Sequence, residues 1–403
     1  MKPKAVIILG FIVAAAAIVF FTLRRQAERG PSGAAPTTTR PPAGSTTTPE
    51  PPRPQVTISL IYSTEKKDWI EAATVEFEKK HPEIDVTLTG RGSLESAADI
   101  LDGKQQPTLW SPADSLALRL LDVDWATKNG APLFADSGDD APQPLLITPL
   151  VFAIWEDRAE VLAKASGGRI GWKAIHKAVA SNQGWPAIGG KDTWGFVKLG
   201  HTNPTRSNSG LQALFLMSLE FYGKRSLEVG DVLKPDYQKF VQEIERGVSK
   251  FETSTGTFMT DMVRFGPSKY DIAVVYESLA IGQIENAQGR WGNLKVYYPD
   301  MTVWSDHPIA LLAAPWITDA QKAAARTYVA FLRDTPMQER ALAYGFRPAD
   351  PRVAMRGVDP TRNPFARLAA YGISMDVPPA VEPPDGAVVR NLLMMWSRLV
   401  GTK

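Results

Sequence analysis

Residues 56–90, VTISLIYSTEKKDWIEAATVEFEKKHPEIDVTLTG, decide the fold class. VTISLIY predicts a buried strand, DWIEAATVEFEKKH carries apolar residues at helical spacing, and IDVTLTG predicts the next strand. The alternation continues with a helix at SLESAADIL, a short strand at PTLW and a helix at SPADSLALRLL. Alternating strands and helices predict an α/β domain with a largely parallel sheet, in which ligands bind at the carboxyl ends of the strands.

A second α/β group follows residue 150. Strands are predicted at LVFAIWED, from Phe196 to Gly200, and at LKVYYP. KYDIAVVYESLAIGQIENA predicts a further strand that continues into a helix. A long helix is predicted after Gly210, and DAQKAAARTYVAFLRDTPMQERALAYGF predicts a helix pair. Since 403 residues exceed what one core normally supports, we expect two lobes joined by two crossings. Residues 56–150 and 307–403 would form lobe I, and residues 151–306 lobe II.

The amino-terminal residues predict a membrane anchor. Ala5 to Leu23, AVIILGFIVAAAAIVFFTL, are uncharged and long enough to cross a bilayer as a helix, and the FFTLRRQ that ends this run does not resemble a signal-peptide cleavage site. Residues 1–25 are therefore expected to be a cytoplasmic start and an uncleaved transmembrane signal anchor. Residues 26–54, rich in Pro and Thr, predict a disordered linker. The flanking basic residues leave the orientation open, while the linker favours an extracytoplasmic domain.

Composition argues against several classes of function. The formal net charge is only +2 and basic residues are interspersed with acidic ones, which argues against a nucleic-acid-binding face. Cysteine is absent, which excludes disulfides, thiolate metal sites and lipid-modified cysteine. The four histidines show no metal-like spacing, and we expect no cofactor. Ser63-Thr-Glu-Lys66 matches the S-x-x-K of penicillin-binding acyltransferases, but K-T-G is missing, and we expect a protein that is not an enzyme.

Small polar residues follow four predicted strands. They lie in IYSTEK (residues 61–66), LWSPAD (109–114), LGHTNPTRSNSG (199–210) and VVYES (274–278). If the strands of each lobe are parallel, these ends line one edge and form a polar cleft. A helix that begins there presents unpaired N–H groups and the positive end of its dipole to an anion or a polar ligand. The same residues are also ordinary N-caps.

The order of these segments resembles bacterial extracellular solute-binding proteins of the two-lobed class that serves ABC transporters. The nearest resemblance is to the molybdate- and sulfate-like branch and to a relative found near von Willebrand A-type domains. In that family a serine follows the first strand, a polar residue follows the third, a Ser-Gly opens a helix of the second lobe, and a Val-Tyr ends a later strand. This chain has Ser63, Ser111, the stretch Thr202 to Gly210, and Tyr276 in those places. The resemblance covers residues 56 to 350 and implies an α/β, type II periplasmic-binding-protein-like fold.

The resemblance implies ligand binding by residues at these strand ends. The candidates are Ser63, Thr64, Ser111, Thr205, Arg206, Ser207, Ser209, Gly210, Tyr276 and Glu277. TRSNSG is similar to the loop of phosphate-binding members, and Arg206 would add charge if the ligand is an anion. Each candidate has a structural alternative: the serines as N-caps, Arg206 in a surface ion pair, and Tyr276 in the core. Two interpretations are open for Trp110, Trp155, Trp194 and Trp304: stacking on an organic ligand and burial in the core.

These features predict a membrane-anchored, extracytoplasmic solute-binding protein, a monomer that closes around a small polar or anionic ligand by hinge motion. Its expected partners are this small molecule, the membrane through the amino-terminal helix, and an ABC permease or a von Willebrand A-type protein. The alternative is a sensor or envelope assembly protein that uses the same fold without transport.

Overall fold

The computed structural model describes residues 55–401, and the expected signal anchor and linker lie outside them. The strands are β1 (Val56–Tyr62), β2 (Ile84–Gly90), β3 (Leu109–Ser111), β4 (Gln143–Pro144), β5 (Leu146–Trp155), β6 (Leu199–Gly200), β7 (Ile272–Tyr276), β8 (Leu294–Tyr297), β9 (Trp304–Ser305), β10 (Pro308–Leu311) and β11 (Arg347–Pro348). The α-helices are α1 (Lys67–Lys80), α2 (Ser93–Leu101), α3 (Ser115–Asn129), α4 (Glu156–Ala165), α5 (Trp172–Val179), α6 (Asn208–Tyr222), α7 (Val229–Val232), α8 (Pro235–Glu245), α9 (Thr255–Phe265), α10 (Glu277–Ala287), α11 (Asp319–Arg333), α12 (Thr335–Ala343), α13 (Pro364–Arg367) and α14 (Gly386–Leu399). Within residues 55–401, no helix is both long and apolar enough to span a bilayer.

Lobe I is built on a sheet with the strand order β2-β1-β3-β10-β4. β1 pairs in parallel with β2 and β3, whereas β10 pairs antiparallel with β3 and β4. Ile58 and Leu60 of β1 share a core with Trp69 and Phe77 of α1 and with Tyr328 of α11. Each large apolar side chain that is fully buried stabilises the fold by about 1.5–3 kcal/mol. The early strands and the late helix pair α11–α12 therefore belong to one lobe.

Lobe II is organised around β5, a strand of ten residues. It pairs antiparallel with β7, β8, β9 and β11, and β6 joins in parallel with β7. The prediction of a largely parallel sheet is therefore wrong for this lobe. The physical reason is that β5 runs in from the other lobe and β9 leads back to it, so the two strands can pair antiparallel without the long crossover that parallel strands need.

Helix α6 lies at the centre of lobe II. Every residue from Asn208 to Leu219 is buried, and Leu214 shares a core with Phe152 of β5 and Trp172 of α5. A helix that is apolar on nearly all sides is stable only when it is buried all round. The first turn of α6 therefore begins inside the molecule.

The described chain crosses between the lobes three times: between β4 and β5, between β9 and β10, and between α12 and β11. The expectation that all of residues 307–403 lie in lobe I is wrong for the end of the chain. Val388, Leu392 and Trp396 of α14 are buried in the core that contains α6 and α8 of lobe II. Their spacing of four residues makes one apolar stripe, which needs a partner surface.

Several predicted elements are confirmed, and others differ at their ends. VTISLIY, IDVTLTG and SLESAADIL form β1, β2 and α2 with the same bounds. The strand expected from Phe196 is reduced to Leu199–Gly200, because a short 3-10 helix ends at Trp194 and Gly195 follows with a φ of 64°. The helix expected after Gly210 begins two residues earlier, at Asn208.

Candidate functional site

The carboxyl ends of β1, β3 and β7 meet between the lobes. Ser63 follows β1, and its backbone N–H donates to the Ser111 carbonyl at the end of β3 (3.0 Å), because the two strands are parallel neighbours. Tyr276 ends β7 in lobe II. All three residues are buried. The strand ends that the sequence placed at one edge are therefore brought together inside the molecule.

Lys66 is fully buried and joins the first two of these loops. Its Nζ atom donates to the carbonyl (2.8 Å) and the hydroxyl (2.8 Å) of Ser111 and to the Pro112 carbonyl (3.0 Å). An ammonium has three N–H donors, so all of them are used. Burial lowers the pKa of Lys66 to about 7, although Glu65 and Asp306 oppose this shift. Within residues 55–401, Lys66 does not bond the hydroxyl of Ser63, the serine of the S-x-x-K match; the hydroxyl that it contacts is that of Ser111.

Asp114 and Gln212 connect the lobes. Asp114 caps α3 by accepting from the Leu116 N–H (2.6 Å), and its second oxygen accepts from Gln212 Nε2 of α6 (2.8 Å). The same nitrogen donates to Ser305 Oγ of β9 (2.8 Å). Burial, and then the Asp306 carboxylate, raise the pKa of Asp114 to about 7. Asp114 therefore keeps its proton to a higher pH than an exposed aspartate does.

His307 lies at the second crossing, between β9 and β10. Its φ of 39° falls in the left-handed region that residues other than glycine seldom adopt. The imidazole is fully buried beside the rings of Tyr276 and Phe346, with centroids 5.8 and 5.3 Å away. Nδ1 lies 3.4 Å from Glu65 Oε1 without hydrogen-bond geometry. Burial and the Lys66 charge hold the pKa of His307 well below its usual range, so the ring is neutral. Strained backbone of this kind is often retained at functional positions.

Asn208 and Tyr276 complete the site from lobe II. Asn208 Nδ2 donates to the Tyr276 hydroxyl (3.0 Å), and the amide oxygen of Asn208 takes no part in that bond. Burial raises the pKa of Tyr276, so its hydroxyl stays protonated and keeps a hydrogen to donate.

These side chains form one buried polar group, which we call the interlobe cluster. It consists of Ser63, Glu65, Lys66, Ser111, Asp114, Asn208, Gln212, Tyr276, Ser305 and His307. Among the described residues, no hydrogen-bond partner exists for Ser63 Oγ, Glu65 Oε1, Asn208 Oδ1, Gln212 Oε1 and both ring nitrogens of His307. Buried polar atoms are nearly always paired in folded proteins, so this concentration of unpaired atoms is unusual. Surface pockets of about 290 and 780 Å³ share no residue with it.

Arg206 does not face the interlobe cluster. Its side chain is half exposed, and Nη2 lies 2.6 Å from Glu95 Oε1 of lobe I. Arg206 was expected to add positive charge at a bound anion. This position does not fit that role, because the guanidinium pairs with Glu95 at the edge of the cleft. The alternative of a surface ion pair describes Arg206 better.

The other residues of the 201–210 loop hold its shape. Ser207 is at the N-cap position of α6 but makes no side-chain capping bond within the described chain. Ser209 Oγ is 2.7 Å from the hydroxyls of both Thr202 and Thr255. A Cβ atom on Gly210 would lie 2.2 Å from the Thr202 carbonyl, so only glycine lets the loop approach α6 this closely.

Three further candidates lie outside the interlobe cluster. The Thr64 hydroxyl is 2.9 Å from that of Ser254 in lobe II. Thr205 donates its N–H and hydroxyl to the side chain of Asn203. Glu277 accepts two bonds of 2.8 Å from Arg347, which offsets its buried charge. The predicted residues within the cluster are thus Ser63, Ser111 and Tyr276, and ligand contact by any candidate stays a prediction.

The four tryptophans do not form an aromatic wall at the interlobe cluster. Trp110 and Trp155 are fully buried, and their ring N–H groups donate to Ser96 Oγ and to the Tyr270 carbonyl. The ring of Trp194 lies 4.0 Å from the Arg158 guanidinium, and that of Trp304 lies 5.9 Å from Arg347. These positions therefore do not indicate that the tryptophans stack against a ligand in the interlobe cluster.

Seven members of the interlobe cluster were not among the predicted ligand-binding residues: Glu65, Lys66, Asp114, Asn208, Gln212, Ser305 and His307. Glu65 and Asp114 stand in IYSTEK and LWSPAD, where only the small polar residues were selected, although an aspartate directly before an apolar helix is a good N-cap signal. The signal for Gln212 is a polar side chain within an otherwise apolar helix. His307 has no comparable signal, because its left-handed backbone depends on the crossing between lobes.

The family model described as "Bacterial extracellular solute-binding protein" matches residues 58–347. No curated protein matches the chain.

Solved structures share the fold at low sequence identity. The sulfate-binding protein SubI from Mycobacterium tuberculosis H37Rv has a TM-score of 0.54 at 15% identity, covering 83% of this chain and 96% of that one. AfuA from Actinobacillus pleuropneumoniae, with fructose-6-phosphate bound, has a TM-score of 0.55 at 14% identity, covering 87% and 99%. Maltose-bound MalE3 of T. maritima has a TM-score of 0.55 at 13% identity, covering 86% and 95%. Because these named ligands differ chemically, the fold does not select a ligand class.

Proposed function

The chain belongs to the bacterial extracellular solute-binding proteins, and we propose that it is a membrane-tethered member that holds a small polar solute at the interlobe cluster and delivers it to an ABC permease. The observation that carries this proposal is the set of buried polar atoms without partners at the place where the lobes meet. Glu65 comes from lobe I, Asn208 and Gln212 from lobe II, and His307 from a crossing.

A solute at this place would favour the closed arrangement of the lobes. Groups on both lobes contact it together only when the lobes meet, so the solute binds the closed form better and shifts the equilibrium towards it. Gln212 already bonds Asp114 across the cleft, so the lobes can close in a defined register. A permease that recognises the closed form would then distinguish loaded from empty protein.

The tether is the second part of the proposal. The apolar run from Ala5 to Leu23 and the Pro/Thr-rich residues 26–54 support an anchor and a linker that keep the lobes outside the cytoplasm. A von Willebrand A-type protein is the alternative partner. Cross-linking in intact cells followed by mass spectrometry distinguishes it from a permease.

Native mass spectrometry of the purified full chain tests the binding function. We expect a co-purified small molecule, and adding it back at about one hundred times its Kd should stabilise the protein by about 2.7 kcal/mol. Gln212→Ala should weaken binding by about tenfold or more, because it removes bonds to both lobes. The exposed Gln183→Ala is the matched control. Absence of any bound solute, with no stabilisation by sugars, oxyanions or amines, would contradict the proposal.

A further inference from the structure

Three of the six unpartnered atoms of the interlobe cluster are carboxylate or amide oxygens, whereas the Ser63 hydroxyl and one ring nitrogen of His307 can donate. Gln212 Nε2 is 2.8 Å from Asp114 Oδ2, and a carboxylate only accepts, so the Gln212 oxygen must be the free end of the amide. Asn208 likewise donates its nitrogen to Tyr276 and leaves its oxygen free. Glu65 Oε1 is a third acceptor without a donor among the described residues. A ligand that fits these atoms must donate hydrogen bonds.

Three cationic side chains near the cluster are already bonded to the protein. Lys66 uses its three donors on Ser111 and Pro112. Arg206 pairs with Glu95, and Arg347 pairs with Glu277. An oxyanion would therefore bring its acceptor oxygens to a site that already presents carboxylate and amide oxygens, and would repel them.

The cluster also carries more acidic than basic groups. Glu65 and the adjacent Asp306 attract the ammonium of Lys66, and Asp114 lies beside Asp306. His307 adds no positive charge, because burial holds its pKa well below the usual range. Asp306 accepts from the Ser115 N–H (2.8 Å) and hydroxyl, and it also attracts the Lys66 ammonium. Burial raises the pKa of Glu65 and of Asp114, although Lys66 opposes the shift at Glu65 and the Leu116 N–H opposes it at Asp114. A buried carboxyl without a full set of partners is costly to ionise, and a bound ammonium would offset that cost.

We propose that the interlobe cluster selects a solute with a primary ammonium group, whose N–H donors are accepted by Glu65, Asn208 and Gln212. This inference rests on the proposed solute binding and names its chemical class. An ammonium supplies three donors and the missing positive charge, whereas a neutral polyol supplies only donors. The rings of Tyr276 and Phe346 beside His307 offer an apolar wall to the rest of the molecule.

Titration calorimetry on the purified full chain tests the class with matched pairs: glucosamine and glucose, putrescine and 1,4-butanediol, with sulfate, phosphate and Mg²⁺ as further probes. We expect an amine to bind at least about tenfold more tightly than its hydroxyl counterpart, as a charge-assisted bond implies. Glu65→Gln should remove most of that preference. Glu95→Gln, at the edge of the cleft, should change the Kd of the amine and of its hydroxyl counterpart by the same factor. The ratio of the two Kd values should therefore stay unchanged.

Asn208→Asp gives a result that misfolding does not imitate. It places a carboxylate where the amide oxygen lies, so amine binding should tighten by several-fold and any oxyanion binding should weaken. Preference for sulfate, phosphate, Mg²⁺ or a neutral sugar would overturn the ammonium class and leave solute binding intact. If no probe binds and native mass spectrometry finds no co-purified solute, the proposed function itself fails, and this inference with it.

Discussion

Arg206 of lobe II lies with Nη2 2.6 Å from Glu95 Oε1 of lobe I, and the backbone of the same two residues is joined by a hydrogen bond from Glu95 N–H to Arg206 O (3.1 Å). The two contacts tie the 201–210 loop to the first turn of α2 across the edge of the cleft. Because the side-chain pair is partly exposed, it contributes little energy, whereas the backbone bond requires close approach of the lobes.

Arg206→Ala should therefore have a small effect that does not depend on the charge of the solute. An exposed ion pair is worth up to about 1 kcal/mol, so the Kd should rise by less than about fivefold. Calorimetry with the native solute, on Arg206→Ala, Glu95→Gln and the double variant, checks this. The double variant should match either single one. A loss of more than about tenfold for anions alone would show that Arg206 binds the ligand directly.

Gly92→Ala should hold the lobes apart. A Cβ atom at this position would lie 2.8 Å from the Arg206 carbonyl and 3.0 Å from the Thr253 carbonyl, both of them backbone atoms of lobe II. The lobes would have to close in a different position, so the affinity for the solute should fall by about tenfold or more. The core of each lobe should stay intact. Small-angle scattering with saturating solute should show a larger radius of gyration than wild type. Gly230→Ala, where a Cβ meets nothing, is the control.

Asp114→Asn should change how stability depends on pH. The pKa of Asp114 is raised to about 7 in the folded protein, whereas an aspartate in an unfolded chain titrates near about 3.9. Between these values the folded state holds a proton that the unfolded state has released, so the free energy of unfolding falls as pH rises towards 7. The asparagine variant should lose that fall, which is on the order of 2–4 kcal/mol for a shift of about three pKa units.

Urea unfolding at several pH values between 4 and 7 measures this difference. The exposed Asp376→Asn should leave the wild-type profile unchanged. Lys66, with its pKa lowered to about 7, acts in the opposite sense above neutrality. There the unfolded lysine keeps a proton that the folded one has lost, so stability should rise again with pH. Parallel profiles for wild type and Asp114→Asn would contradict the assignment.

The elements closest to ideal periodicity were predictable from sequence, and those that depend on contacts distant in sequence were not. VTISLIY and SLESAADIL carry their own pattern and form β1 and α2 as expected. The amphipathic helix α14 was missed, although its stripe is readable, because its partner surface in lobe II lies far away in sequence. Antiparallel pairing around β5 was missed for a similar reason, since it follows from the crossings.

The candidate site was predictable as a place but not as a set of contacts. Strand ends identified Ser63, Ser111 and Tyr276, because parallel strands bring their carboxyl ends together. The resemblance of TRSNSG to the loop of phosphate-binding proteins suggested Arg206 as a ligand contact. Its side chain pairs with Glu95 instead, a contact that depends on how the two lobes meet. Glu65 and His307 lie 3.4 Å apart although 242 residues separate them, and no local pattern indicates such a contact.

The carboxy-terminal helix should contribute strongly to the stability of lobe II through Trp396. Its ring is buried beside Phe251, with centroids 5.0 Å apart, and Nε1 donates to Glu245 Oε1 (2.8 Å). Glu245 in turn lies 2.8 Å from His201 Nε2, at the start of the 201–210 loop. Trp396→Ala should cost about 3–5 kcal/mol, because it removes a large buried ring and leaves a cavity.

Equilibrium unfolding in urea, followed by circular dichroism, measures the cost. Met394→Ala is the control, since this side chain on the same helix is 61% exposed and should change stability by less than about 0.5 kcal/mol. Trp396→Phe keeps most of the ring and loses the N–H, so it should cost about 1–3 kcal/mol because a buried carboxylate loses a donor. If Trp396→Ala destabilises no more than Met394→Ala, the helix does not support lobe II, and its apolar stripe needs another explanation.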